Sequence, residues 1–262
     1  MMRRNAIVAL LGVFAATPLS AALAQDQPVA PAAVVREGKD ERALKLLKSM
    51  SDRLGKARIL SFRVRSLVPM NAPSGQYLSF FGQSRVVMQR PDRLFVETRG
   101  DLMPNDLYFD GKTVTAVRLG GKFYSRQDVP GGTIDALIDK QYPGSDTLAP
   151  FVDTLLADSY GRLTSDLESA LLVGQSMVGG ARTDHLAFTS KGIDWEIWIG
   201  VQDSLPRRLI ASYRSGERQP TFTVEFSDWK LDTAVPAGTF KAPIAKDAVE
   251  LDFKLQGLSE SR

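Results

Sequence analysis

The stretch Ile193-Asp194-Trp195-Glu196-Ile197-Trp198-Ile199-Gly200-Val201 decides the fold class. Ile193, Trp195, Ile197, Ile199 and Val201 occupy alternate positions, which is the period of a strand with one dry face. Working outward, the same period recurs. Before it, Thr183–Thr189 reads as a strand, joined through the Lys191-Gly192 turn. After it, Leu205-Pro206 interrupts the run. Leu209, Ala211 and Tyr213 follow, and then Phe222, Val224 and Phe226, as two further strands. Consecutive short strands joined by tight turns imply an antiparallel sheet.

The first half repeats the pattern. Leu60, Phe62, Val64 and Val68 alternate with Ser61, Arg63 and Arg65, which places the two arginines on a wet face. Val86 and Met88 mark a second strand; Pro91-Asp92 turns the chain; Leu94 and Val96 open a third. Pro104 to Asp110 is a fourth. Asp110-Gly111 is a hairpin signal leading to Val114 and Ala116, and Gly120-Gly121 leads into Lys122–Arg126.

Two regions depart from this period. Ala43, Leu44, Leu46, Leu47, Met50 and Leu54 recur at helical spacing over Glu41 to Leu54, with Gly55 as the stop. In the middle, Ile134, Leu137 and Ile138 space as one short helix. Leu148, Phe151, Val152, Leu155 and Leu156 space as a second, with Asp146 as N-cap. Tyr160 to Leu172 is expected to hold a third, and Gly174 to Gly180 to be loop. The order is one helix, about six strands, a helical insertion over 131–172, and about four more strands. One face of the sheet is apolar across many strands and must be covered; the insertion is the expected cover.

The N-terminus reads as an export signal. Arg3 and Arg4 precede the apolar run Ala6 to Ala16, and Ala22-Leu23-Ala24 supplies the small-x-small cleavage pattern. The run is shorter than the ~20 residues a membrane-spanning helix needs. Residues 1–24 are therefore expected to be removed, leaving no integral membrane segment, and the chain to be periplasmic. Residues 25–39, rich in Pro and Ala, read as a flexible leader, and 246–262 as a polar C-terminal tail. Without residues 1–24 the chain loses two of its 33 basic residues and none of its 30 acidic ones, so the net charge falls from +3 to near +1. No basic patch suggests nucleic acid. The chain has no Cys, so it has neither a disulfide nor a lipid-modified N-terminal Cys.

Several motifs in order resemble a known family. Arg90-Pro91-Asp92-Arg93-Leu94, Asp110-Gly111-Lys112, Asp194-Trp195-Glu196-Ile197-Trp198-Ile199, Leu205-Pro206-Arg207-Arg208-Leu209, Phe226-Ser227-Asp228-Trp229, Val235-Pro236 and Phe240-Lys241-Ala242-Pro243 resemble the carrier LolA and its relatives. With Asp184-His185-Leu186-Ala187-Phe188 ahead of the Trp strand, the chain is more closely similar to an uncharacterised family of predicted periplasmic proteins, domain of unknown function 2092. The resemblance spans residues 40–245, taken as one domain. It implies a mainly β protein with helices: a curved, incomplete antiparallel β-barrel whose helices cover the concave side and enclose a hydrophobic cavity. Relatives hold acyl chains of lipoproteins or other lipids there. RseB-type relatives instead sense misplaced protein segments and regulate a partner.

No residue set reads as an active site. His185 is the sole histidine, and in a strand Asp184 beside it points to the opposite face. Gly174-Gln175-Ser176-Met177-Val178 lacks the final glycine of a nucleophile elbow. Gly120-Gly121-Lys122 lacks the rest of a phosphate loop. No metal and no cofactor are implied. The expected function is non-catalytic binding of a lipid or lipid-modified ligand, with a membrane-bound protein as a second candidate partner; the alternative is an RseB-type envelope sensor without lipid cargo. The residues expected to line the cavity are Leu60, Phe62, Val64, Val86, Met88, Leu94, Val96, Leu137, Phe151, Leu155, Trp195, Ile197, Ile199, Phe222, Val224 and Phe226. A packed core would recruit the same residue types, so both readings stay open at this stage.

Overall fold

The computed structural model describes residues 38–101, 104–118, 120–141, 151–214 and 219–252. The signal-peptide segment 1–24, most of the leader, the expected N-cap Asp146 with Leu148, and the tail beyond 252 lie outside the described residues.

The alternating sequence folds into one open, curled sheet. Its strands are β1 (Ile59–Asn71), β2 (Tyr77–Gln89), β3 (Arg93–Gly100), β4 (Asn105–Phe109), β5 (Thr113–Arg118), β6 (Phe123–Asp128), β7 (Leu167–Val178), β8 (Ala181–Ser190), β9 (Ile193–Gly200), β10 (Pro206–Tyr213), β11 (Thr221–Leu231) and β12 (Val249–Glu250). The spatial order is β12-β6-β5-β4-β3-β2-β1-β11-β10-β9-β8-β7. Each half is a meander of antiparallel hairpins, and the halves join where β1 pairs with β11. Among the described strands β12 alone runs parallel, against β6, and a single parallel bridge joins Lys39 to Ala170. The architecture is mainly β with a few helices, as the alternation implied.

Three helices lie on one face: α1 (Glu41–Lys56), α2 (Ile134–Gln141) and α3 (Ser159–Thr164), with a 3-10 turn at Val152–Leu155. Asp40 caps α1 by accepting from Arg42 N. The apolar stripe Ala43, Leu47, Met50 and Leu54 is fully buried against the sheet. At Gly161 a Cβ would stand 2.3 Å from the Asp158 carboxylate, which caps α3 by accepting from Gly161 N, so a larger residue there would push the cap aside.

Four sequence expectations are corrected. α1 continues through Gly55 to Lys56. Gly55 serves close packing and not termination, since a Cβ there would come 3.0 Å from Ala157 O. Only Ser159–Thr164 of the third expected helix is helical; Leu167–Val178 is the edge strand β7, which absorbs the segment read as loop. The cause is pairing: β7 docks along β8 from Leu167–Ser190 to Val178–Ala181, and its bulges disguise the period. The helical insertion therefore ends near 164, and five long strands follow it. The second expected helix is, within its described part, the 3-10 turn alone. Lastly, Val249-Glu250, inside the segment read as a tail, pair with Phe123-Tyr124.

Candidate functional site

In an antiparallel ladder, directly opposed residues point to the same face. The registers therefore sort the sheet without ambiguity. Leu60–Met88–Leu94–Phe109–Val114 and Phe62–Val86–Val96–Leu107–Ala116 form two cross-strand rows on the helix-covered face. In the other half, Val224–Leu209–Ile197–Leu186 and Phe222–Ala211–Trp195–Phe188 form two more. The residues proposed from sequence as cavity lining are thus brought together on one face. All but Val96 and Phe151 belong to one cluster of buried side chains; those two are partly buried and pack against it. Phe151 stacks on Phe222 with ring centroids 5.9 Å apart.

Burial is graded across this face. Leu60, Phe62 and Met88 lie beneath the helices at 0–2% exposure. Along the same rows, Val96 and Leu107 are only half-buried. The next row changes chemistry: Ser84, Thr98, Asn105 and Arg118 succeed one another across β2 to β5. Ser84 Oγ and Thr98 Oγ1 hydrogen-bond at 3.1 Å. Among the described residues Arg118 has no ion-pair partner. An apolar floor at Val96 and Leu107 is thus bordered by hydroxyls, an amide and a guanidinium. Such a surface accepts an apolar chain below and a polar or anionic group at its rim.

The helical cover is fastened by a polar clasp that sequence reading assigned no role. Arg90, following β2, donates from Nη2 to Leu155 O at 2.8 Å and contacts Leu156 O at 3.5 Å. Its Nη1 lies 4.0 Å from Asp135 Oδ1 of α2. Asp135 in turn accepts from Ala157 N. Burial lowers the pKa of Arg90, with Asp135 acting against the shift, and its Nε is buried without a partner. Arg162 of α3 pairs with Asp139 of α2. Asp153, in the 3-10 turn, has its pKa raised by burial; Arg162 opposes the rise and Asp139 adds to it. Between α1 and α3, buried Ser51 Oγ accepts from Ser159 Oγ at 2.7 Å and Tyr160 N at 2.8 Å. The signal for Arg90 was present in its motif, but only the fold shows what the guanidinium reaches.

The outer face carries other chemistry. His185 stands there with Nε2 2.6 Å from Glu196 Oε2 and its ring stacked on Trp198 at 4.0 Å. Asp184 faces the other way and accepts from Gln175 Nε2, so the two neighbours do not form a pair. The segment after β11 crosses the outer face, where Phe240 joins Val87, Phe95, Tyr108 and Val117 in a second apolar cluster. A pocket of about 520 Å³ beneath it is lined by Arg93, Tyr108, Asp110, Thr115 and Lys241 among others. Burial there pushes the Asp110 carboxyl up. The backbone amides of Thr113 and Lys112 outweigh it, and the carboxyl sits below the usual range. Among the described residues no group of His, Cys, Asp and Glu could hold a metal ion. No described helix is long and apolar enough to cross a membrane.

The family model for DUF2092, "Predicted periplasmic protein", matches residues 43–254. The chain belongs to this family. No curated protein matches it in sequence. Among solved structures, this DUF2092 member is similar to MucB, at 17% identity and a TM-score of 0.44 over 78% of this chain and 63% of that one. It thus spans less than two thirds of MucB, which is also solved from Pseudomonas aeruginosa in complex with MucA. It is similar to LprF from Mycobacterium bovis, at 13% identity and a TM-score of 0.43 over 76% and 98% of the two chains. A LolA superfamily protein from Nitrosomonas europaea matches at 13% identity and a TM-score of 0.31 over 74% and 96%. At such distances no ligand or partner passes from those proteins to this one.

Proposed function

We propose that this chain is a non-catalytic periplasmic protein that binds an apolar ligand, a lipid or acyl chain, against the helix-covered face of its sheet. The observation that supports the reading is the graded face: a fully buried cluster passes along the same strands into the half-buried floor of Val96 and Leu107 and then into the polar rim of Ser84, Thr98, Asn105 and Arg118. An acyl chain gains ~0.8 kcal/mol per buried CH₂, so a dry surface suffices without a catalytic set. The exposed end of such a ligand would meet the rim, where Arg118 favours an anionic group. Residues proposed from sequence as cavity lining would then act as floor and support for the floor.

The test is titration of the purified chain with a dansyl-labelled fatty acid. Wild type is expected to bind, and Leu107→Trp, which fills the floor without adding charge, to bind at least several-fold more weakly. Equal binding by the two, or none by wild type, would sink the reading. A second reading, an envelope sensor that captures extended protein segments, is favoured by one observation. β7 is the last strand, and beyond the Lys39–Ala170 bridge no described strand pairs with its outer edge, where Val173 and Met177 are exposed. Such an edge accepts an added strand.

A further inference from the structure

From Ser66 to Ser84 the chain contains no Asp, Glu, Lys, Arg or His, although 24% of its residues are charged. This stretch is the far end of the β1–β2 hairpin. β1 keeps its β11 partner only to Leu67–Thr223, and β2 keeps β3 only to Gly82–Gly100. Beyond those points the two strands pair, among the described residues, with each other alone, up to Asn71–Tyr77. A two-stranded ribbon therefore projects from the sheet. Leu67, Tyr77, Leu78 and Phe81 on it are 40–45% exposed.

We infer that this ribbon is a membrane-docking element that seats the protein on the surface of a phospholipid bilayer. Three observations select a bilayer over a protein partner. First, both faces of the ribbon carry apolar side chains and no charge. The register puts Val68, Met70, Leu78 and Phe80 on one side, and Leu67, Tyr77 and Phe81, together with Pro69 and the uncharged Asn71 and Ser79, on the other. A protein groove covers one side of a ribbon; an apolar medium surrounds both. Second, charge follows depth. The first charge met on each strand on leaving the tip is an arginine, Arg65 on β1 and Arg85 on β2. Arg65 is exposed and has no ion pair among the described residues; Arg85 leans on Glu97 at 3.4 Å. Along each of the two strands an uncharged tip thus gives way to a cation, which complements acyl chains and then phosphates; Asp101, which follows β3 and stands nearer the tip, is held by the Phe81 amide. Third, the depth is limited. Asp101 accepts from Phe81 N at 2.8 Å and ends the uncharged surface there. About four residues per strand remain beyond it, ~13 Å at strand rise. The ribbon's two free edges carry unpaired backbone groups, which hydrocarbon would not tolerate. It therefore rests at the boundary of headgroups and acyl chains, where such groups stay wet.

This inference deepens the lipid-binding reading, since a bilayer is where such a ligand would be taken up or released; the two are tested apart. Because the chain has no Cys, Leu78→Cys gives a single attachment point for an environment-sensitive nitrobenzoxadiazole dye. With vesicles of phosphatidylethanolamine and phosphatidylglycerol, the dye is expected to shift to the blue. The unlabelled chain should co-sediment with the vesicles, and Leu78→Asp and Phe81→Asp should each lose about tenfold or more of that binding. Arg65→Ala is expected to lose about fivefold toward phosphatidylglycerol and nothing toward phosphatidylcholine. Met177→Asp, on the edge strand β7 away from the ribbon, should bind vesicles as wild type does. All these positions are exposed, and unchanged thermal melting would show that the variants fold. Leu78→Asp should still bind the dansyl fatty acid in solution, so loss of vesicle binding and loss of the ligand are read separately. Absence of vesicle binding by wild type, or equal binding by Leu78→Asp, overturns the inference. So does a concentration-dependent dimer that Leu78→Asp abolishes, which would make a second copy the occupant.

Discussion

Arg90→Met removes the clasp between sheet and cover while keeping the length and apolar stem of the side chain. Arg90 gives one good hydrogen bond, Nη2 to Leu155 O at 2.8 Å, and a marginal one to Leu156 O at 3.5 Å. A hydrogen bond from a charged donor is worth ~1.5–3 kcal/mol, and the long one adds little. Against this, Nε is buried unpartnered and the guanidinium is partly desolvated, costs of ~1–3 kcal/mol that methionine relieves. Leu155 O then loses its partner unless water enters. The net expectation is a loss of about 1–2 kcal/mol. For a domain of this size, that lowers Tm by about 2–8 °C. The decisive assay is local. If the clasp holds the 3-10 turn and α2, amide exchange at Thr154 and Leu156 should quicken by roughly 5–30-fold, while amides in β9 shift only with global stability. Association of the dansyl fatty acid should become faster. Unchanged Tm with unchanged exchange at these amides would refute the clasp, and so would an exchange increase of equal size in β9 and the turn.

Asp153→Asn tests the sign of a buried carboxyl. Its pKa is raised in the fold, so ionisation costs native stability as pH climbs past the ordinary 3.8; the variant should melt above wild type at neutral pH and with it in acid below that value. Ser51→Ala leaves Ser159 Oγ and Tyr160 N without their buried acceptor and should cost ~1–3 kcal/mol in denaturant unfolding; a change under about 0.5 kcal/mol would show that water replaces it. His185→Ala, on the outer face, should leave fatty-acid affinity within a few-fold; a loss of orders of magnitude in a folded variant would place His185 in the site. N-terminal sequencing of the exported protein should begin near Gln25, and an intact Met1 in the periplasmic fraction would contradict export with cleavage.

Period-2 alternation was the legible signal. It located β1 to β6 and β8 to β11, because each has one wet and one dry side or a marked turn. It failed at β7, where bulges between Leu167 and Ser169 and between Leu172 and Gly174 shift the facing residues, and where Gly174 and Gly179-Gly180 imitate a loop. It also failed at Val249-Glu250, whose strand character comes only from a parallel partner far away in sequence. In the candidate site, Val96 was singled out from sequence, since it belongs to an alternating run, whereas Leu107 was not. The rim was not, because Ser84, Thr98, Asn105 and Arg118 acquire a common face only through the register of four strands. Arg90 was visible as a motif residue. What it grips, two carbonyls and a carboxylate some 45 to 65 positions away, is a property of the fold.

The two sides of the helical cover are held by different physics, and that difference decides where a ligand would enter. α1 is anchored by Ala43, Leu47, Met50 and Leu54, all at 0% exposure. Truncating one such leucine costs ~2–5 kcal/mol, so lifting the helix would cost a large part of a domain's total stability. α2 and the 3-10 turn are short. They bury Ile134, Leu137, Ile138, Val152 and Leu155, and are otherwise tied by Arg90, Asp135 and the Arg162–Asp139 pair. Polar ties can be exchanged for water at modest cost, and a short element exposes little apolar surface when it moves. Opening therefore falls on the α2 side of the cover; Val96 and Leu107, on β3 and β4, are already half-buried. A ~16-carbon chain gains roughly 12 kcal/mol on full burial before ordering costs. That exceeds the expected cost of parting the clasp, whereas displacing α1 would consume most of it. A bound chain would lie along Val96 and Leu107 and leave α1 in place, so α1 amides should keep their exchange protection when ligand binds, and faster exchange there would argue for a different route.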